Sequence, residues 1–288
     1  MKIGTSLGHF RYLGSAEAVY ARVRELGYQT VDESLDQTGA SWYANREAMA
    51  AYCQKVRQVA AEAGIEISQV HGPWPTDDTT EEKRAATLEH MKLAVYGCGQ
   101  MGAKYLVIHP QMPYGWDHED SADFAEALTV QLLQALIPVC EENNVIVCLE
   151  NMPMTAHRIS PMAKIAEVVA KINSPYVGIC LDTGHSNVYG HDLGEMVRIA
   201  APWLKVLHVH DNNGKQDLHQ LPYLGTADWD SFTKALGEVG FAGSLSLETG
   251  GPVSASMPEP LHKQAERLTA DTARYLADRV DLAAARLC

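Results

Sequence analysis

Four segments of the chain end in side chains that hold metals or move protons. VIVCLEN (145–151) carries Glu150, VGICLDT (177–183) carries Asp182, KVLHVHD (205–211) carries His208 and His210, and GSLSLET (243–249) carries Glu248. Each segment is apolar and about the length of a β-strand, in which alternate side chains face opposite ways. Alternation puts Ile146, Cys148 and Glu150 on one face. It does the same for Gly178, Cys180 and Asp182, for Val206, His208 and His210, and for Ser244, Ser246 and Glu248. Intervening residues such as Leu245 and Leu247 are apolar, as a covered outer face requires. Four consecutive strands therefore each offer a metal-capable side chain at the last inward position. Gathered in one place, two glutamates, an aspartate and a histidine repel one another, and near these strand ends only Arg158, Lys205 and Lys215 bring positive charge. One such glutamate alone reads as a capped or ion-paired strand end. The set of four points to a divalent cation.

Other side chains of the same kind fall at neighbouring strand ends. His71 ends EISQVH in the run QVHGPWP, and His109 ends YLVIHP. His185 follows Asp182 by three residues in LDTGH. Asp217 and His219 form a D-x-H pair in LHVHDNNGKQDLH (207–219). These residues, with His210, are read as substrate contacts or as ligands of a second metal, both readings remaining open. Trp74, Tyr114, Trp116 and Tyr189 lie in loops beside them, where aromatic rings can stack on the apolar face of a sugar. The run HPQMPYGWDHED (109–120) suits a wall or lid.

What positions these residues is an alternation along the whole chain. Eight strand-length runs, KIGTSL (2–7), TVDES (30–34), EISQVH (66–71), YLVIHP (105–110) and the four above with their last at GSLSLET, are separated by stretches of helical periodicity. Eight βα units in a chain of 288 residues specify a (β/α)8 TIM barrel, one α/β domain over residues 1–288. A doubly wound open sheet fits less well, because no glycine-rich phosphate fingerprint follows the first strand. Seven of the eight strands end in polar side chains, on the face where such barrels carry their chemistry. Ser160 and Pro161 are expected as N-cap and first residue of a helix, and Gly64 as a helix stop. In the last helix, Leu261, Ala265, Leu268, Thr272 and Leu276 are expected to face the barrel.

Composition narrows the class of partner. With 23 basic and 36 acidic residues the formal net charge is −13, which disfavours nucleic acid, whose binding draws on Lys and Arg against phosphate. No apolar run approaches the ~20 residues of a membrane span, and MKIGTSLGHF lacks the pattern of a signal peptide. The six cysteines include no CxxC pair, and Cys148 and Cys180 sit in apolar runs, so reduced thiols and a cytoplasmic protein are expected.

The ordered motifs HGPWP, VIHP, CLENMP, LDTGH, HVHDNNGKQDLH, LGTADW and SLSLETG resemble the xylose-isomerase-like barrel superfamily, over nearly the whole chain. That group includes sugar phosphate isomerases/epimerases, ketose 3-epimerases, inosose isomerases and dehydratases, and endonuclease IV. The resemblance implies one catalytic divalent metal on Glu150, Asp182, His208 and Glu248. His208 is favoured over His210 by the family's H-x-x-D/E pattern, here ending at Asp211. Such a shell, rich in oxygen, suits Mn²⁺ or Mg²⁺, with Co²⁺ or Zn²⁺ also compatible. In the epimerases the two glutamates act as an acid/base pair on opposite faces of a sugar or keto-sugar, through a metal-stabilised enediolate, which makes Glu150 and Glu248 the expected catalytic residues. His210 is expected to meet substrate, and Asp211 to anchor its strand end. Relatives are often homo-oligomers.

Two departures matter. Ala156 and Gly214 stand where the ketose 3-epimerases have a substrate-holding glutamate and arginine, which weakens a free-ketohexose reading. A keto-sugar or keto-glycoside lyase or dehydratase with the same metal site is one alternative. Another is the three-zinc phosphodiesterase of endonuclease IV, whose ligand pattern is matched at His71, His109, Glu150, Asp182, His185, His208, Asp217, His219 and Glu248.

Overall fold

In the structure, a computed structural model that describes residues 1–114, 122–250 and 257–287, all eight expected strands form. They are β1 (Ile3–Ser6), β2 (Thr30–Ser34), β3 (Glu66–His71), β4 (Tyr105–Ile108), β5 (Ile146–Glu150), β6 (Val177–Asp182), β7 (Leu204–His208) and β8 (Leu245–Leu247). Every ladder is parallel, in the order β7-β6-β5-β4-β3-β2-β1-β8. The two edges meet where Val209 bridges Leu247. There Val209 N–H donates to the Ser246 carbonyl at 2.9 Å and Glu248 N–H donates to the Val209 carbonyl at 3.1 Å. The result is a (β/α)8 barrel, and its closure brings Glu248 beside the end of β7.

Helices α1 (Ala16–Leu26), α2 (Arg46–Ala63), α3 (Glu81–Met101), α4 (Ala122–Asn143), α5 (Met162–Ile172), α6 (Thr183–Val188), α7 (Leu193–Ala200), α8 (Trp229–Glu238) and α9 (Glu259–Ala285) connect and flank the strands. Their starts are written in short polar side chains. Ser15, Asn45, Thr80, Asp192 and Asp228 each accept a backbone N–H from the first turn. Gly64 ends α2 in the left-handed region (φ 69°), as expected.

Inward strand residues Val107, Cys148, Cys180 and Val206 fill the barrel interior, in the alternation read from the sequence. A larger apolar layer lies between strands and helices. The five described cysteines are buried and unpaired. Cys288 lies outside the described residues.

Three local expectations are corrected. Pro161, not Ser160, occupies the N-cap of α5, and no side chain caps that end; the proline's fixed φ of −66° suits the position equally well. In α9, Leu261 and Leu268 are 47% and 52% exposed. The buried stripe instead runs through Ala265, Thr269, Ala273, Leu276 and Val280, in phase with Leu276 but made mostly of small residues. Near its C-terminal end α9 packs hard on α8: a Cβ at Gly237 would stand 2.6 Å from Ala283 Cβ and 2.8 Å from the Val280 carbonyl oxygen. Finally, α4 contains one stretch, Phe124–Asn143, long and apolar enough to cross a membrane by length and composition. In the barrel it packs between α3 and α5.

The close approach at Gly237 sets an expectation. Because backbone atoms, which cannot swing aside, oppose the added methyl, Gly237→Ala lowers unfolding free energy by about 1–3 kcal/mol. Urea denaturation measures it.

Candidate metal centre

Glu150, Asp182 and His208 close β5, β6 and β7, and Glu248 follows β8 by one residue. Parallel pairing puts these ends in register, with Glu150 opposite Cys180 and Asp182 opposite His208. Ligand atoms of Glu150, Asp182, His208 and Glu248 lie within 4.8 Å of one another. His208 Nδ1 is 2.9 Å from Glu150 Oε1 and 3.2 Å from Glu248 Oε2.

Among the described residues no lysine or arginine pairs with any of these three carboxylates; only imidazoles meet them. Burial alone would raise the Glu150 carboxyl, but His208 and His109 beside it hold it well below the usual carboxylate range. Glu248 is pushed up, chiefly by burial. Burial opposes protonation of His208, yet the anionic groups around it hold its pKa well above the ordinary imidazole value. Protons on these histidines and a cation compete for the same lone pairs, so metal binding here releases protons. The donor set fits a divalent ion: buried carboxylates and imidazole, with no lysine or arginine beside the carboxylates among the described residues. The Cys180 thiol, also within reach of Glu150 and His208, is pushed well up by burial and makes a poor ligand.

The orientation of His208 comes from a residue that motif reading missed. Asp32 Oδ2, in the middle of β2, lies 2.9 Å from His208 Nε2 and accepts a 3.0 Å hydrogen bond from Gln69 Nε2, while Gln69 also donates to the Leu207 carbonyl. A carboxylate behind the imidazole fixes ring and tautomer and leaves Nδ1 for the metal side. The signal was present in TVDES, an acid inside a strand, but with only one candidate partner named per strand it had no distinguishing mark.

The remaining histidines gather in two neighbouring groups. Asp217 Oδ2 lies 3.2 Å from His185 Nε2 and 3.1 Å from His219 Nε2. The Nδ1 atoms of both rings face backbone carbonyls, of Asn151 at 2.8 Å and Glu248 at 2.9 Å, so both Nε2 atoms are aimed at one place. Asp182 and Asp217 outweigh burial and raise His185 to about 10, and His219 is raised to about 9 against burial by the Asp217 hydrogen bond. On the other side, His71 and His109 approach Glu150, with His109 Nε2 at 3.2 Å from Glu150 Oε2. Burial lowers His109 to about 4.

His210 is fully buried and off the cavity wall, with Nε2 2.9 Å from Asp182 Oδ2 and 3.7 Å from Asp217 Oδ1, and its ligand atom lies within 4.8 Å of those of His185, Asp217 and His219, the group in which a second metal was expected. The ring fits because residue 184 is glycine; a Cβ there would stand 2.0 Å from His210 Cε1. Trp116 and the end of the expected lid lie outside the described residues. Of the other loop aromatics, Trp74 joins the wall, edge-on to His109, whereas Tyr189 ties its hydroxyl to the Met154 carbonyl and Tyr114 packs on Phe124.

A family model described as xylose isomerase-like TIM barrel matches residues 20–279. The chain belongs to this family. Among curated relatives, an uncharacterised protein (y4fM) of Sinorhizobium fredii is 25% identical over 252 residues, 79% of this chain and 78% of its own length. A probable endonuclease 4 of Mycoplasma mobile is 25% identical over 164 residues, 52% of this chain and 57% of its own. Solved structures share the fold: the 3-keto-D-glucoside 4-epimerase YcjR from E. coli (18% identity, TM-score 0.77, 96% and 99% of the two chains) and the IolI protein with a zinc atom (19% identity, TM-score 0.72, 97% and 98%). Within this xylose isomerase-like barrel, the loop after β7 is held by Asp211. Its buried carboxylate accepts backbone N–H groups of Asn212, Tyr223, Gly225 and Ala227 and the Trp229 indole N–H, anchoring the strand end and the loop that carries Asp217 and His219.

Asp32→Asn keeps the shape of the His208 support but removes its charge. Metal affinity is expected to fall by roughly 10–100-fold, as measured by chelator competition, with the fold intact by circular dichroism.

Proposed function

We propose that this chain is a divalent-metal-dependent sugar or keto-sugar epimerase or isomerase. The observation that carries the reading is the pairing of Glu150 and Glu248 across His208 at the floor of a cavity of about 590 Å³, whose walls include Trp74, Trp42, Tyr52 and Val56. Such a volume falls in the ~300–1,000 Å³ range of small-molecule sites. Glu150, Asp182, His208 and Glu248 hold the ion, which supplies Lewis-acid polarisation of a carbonyl. Glu150 from the end of β5 and Glu248 from beyond β8 approach the substrate from separate strands across the barrel mouth. One takes the proton from the carbon beside the carbonyl and the other returns a proton, which inverts that carbon or moves the carbonyl. His185 and His219, their Nδ1 sides tied to backbone, present Nε2 to substrate hydroxyls.

A lyase uses the same proton removal but loses a leaving group before reprotonation. A phosphodiesterase reading is favoured by one observation, two further groups whose ligand atoms lie within 4.8 Å of one another, His185, His210, Asp217 and His219 on one side and His71, His109 and Glu150 on the other. Against it stand the apolar walls and the net charge of −13.

Metal analysis of the purified protein separates these. One Mn²⁺ or Mg²⁺ per chain is expected; three zinc ions would overturn the epimerase reading in favour of the phosphodiesterase. Deuterium from solvent is expected to enter a keto-sugar at the carbon beside its carbonyl, and Glu248→Gln to slow that exchange by about 10²–10⁴-fold. Unchanged exchange in this variant would remove Glu248 from the reaction.

A further inference from the structure

The last helix carries two apolar stripes, and the barrel uses only one. Ala265, Thr269, Ala273, Leu276 and Val280 are buried where α9 packs on α8, β1 and β8. Leu261, Leu268, Tyr275 and Leu282 lie outside that stripe, each between 47% and 60% exposed. They recur at intervals of seven along about 30 Å of helix, the spacing of a seam between two helices. Tyr223 and Leu224, exposed in the loop after β7, extend the ridge, with the Tyr223 ring 5.9 Å from that of Tyr275. A single exposed leucine is ordinary, whereas a continuous ridge of large apolar side chains marks a contact surface.

Beside the ridge runs a row of exposed charges, Arg267, Asp271, Arg274 and Asp278. Their spacings of three and four residues would let neighbours in the row pair along the helix. Among the described residues none does. The ion pairs of α9 are Lys263 with Glu259, Arg279 with Asp230, Glu266 with Arg22 and Asp281 with the amino terminus. Arg274 gives one N–H to the Gly27 carbonyl.

The order of signs identifies the partner. Laid antiparallel on a second copy, the row sets Arg267 opposite Asp278 and Arg274 opposite Asp271, and two-fold symmetry repeats each pair. The same alignment sets Leu268 against Tyr275 and Leu261 against Leu282. A parallel alignment would set every charge against its own kind. We propose that α9 is the contact face of a homodimer, in which two copies of this helix pack antiparallel along the ridge. The row of charges is self-complementary, so the chain itself is the partner it fits. Tyr223 also gives its backbone N–H to Asp211, so the contact reaches the loop that carries Asp217 and His219.

Sedimentation velocity of the full chain over a range of concentrations tests this. The chain is expected to sediment at twice the mass of one copy. Leu268→Glu changes an exposed position and leaves the core untouched, so a monomer with unchanged circular dichroism is expected. Arg267→Asp and Asp278→Arg each bring like charges together at two symmetric places, and each is expected to weaken association by about tenfold or more. Mixed in equal amounts, these two variants regain opposite charges at both places. They are expected to associate with each other as tightly as the unaltered chain does with itself. A monomeric unaltered chain, or a dimer that Leu268→Glu leaves intact, overturns the interface. Single reversals without effect, or a mixture that fails to associate, overturn the antiparallel pairing.

Discussion

Four carboxylates, those of Asp32, Glu150, Asp182 and Glu248, sit in one barrel mouth and, among the described residues, have only imidazoles as charged partners. Burying anions costs several kcal/mol each unless something pairs with them. His208 lies at the centre of the solution, between Asp32 on its Nε2 side and Glu150 and Glu248 on its Nδ1 side. Remove that ring and three acids face one another across a low-dielectric space. The rest of the fold can be read as the scaffold that keeps this arrangement in register. Parallel pairing of β5, β6 and β7 aligns three of the groups, and the Val209–Leu247 bridge sets the fourth.

Support for the site extends outward in layers of specific bonds. Gln69 holds Asp32, Asn151 clamps the backbone of Asp182 from both sides, and the Asp182 side chain caps α6 through the His185 N–H. Asp211 satisfies four backbone N–H groups and an indole in the loop after β7, so His219 is held by main-chain geometry as well as by its own bond to the Glu248 carbonyl. His219 takes a positive φ of 45°, a conformation that non-glycine residues adopt only where surroundings fix it. Such redundancy is what a preorganised site requires, since each reactive side chain is then oriented before any ligand arrives.

Much of this was legible in the chain, for a physical reason. A barrel strand has a period of two and its C-terminal end faces the mouth, so Glu150, Asp182, His208 and Glu248 declare themselves by position. The same arithmetic says less at His210. Alternation makes it inward, but β7 ends at His208, and beyond it the backbone turns to pair Asp211 with Gln220, which carries the His210 ring behind Asp182 instead of into the cavity. Asp32 was invisible for the opposite reason: its strand was legible, yet its partner lies 176 residues away across the barrel, and no local spacing encodes that contact. In α9 the expected stripe holds at Ala265 and Leu276 and fails at Leu261 and Leu268, because the buried face is built largely from alanine and threonine, which carry little hydrophobic signal.

The two remaining histidine groups deserve the same physical weighing. Asp217 is shared by His185 and His219, whose pKa values are raised to about 10 and about 9, so this triad carries one net positive charge at neutral pH. Glu150, Asp182 and Glu248 stand the other way, because His208 is held protonated beside them whereas burial lowers His109 to about 4. The demand for a cation therefore falls at the centre of the mouth, and the rim, already protonated, takes up a further cation only by losing those protons.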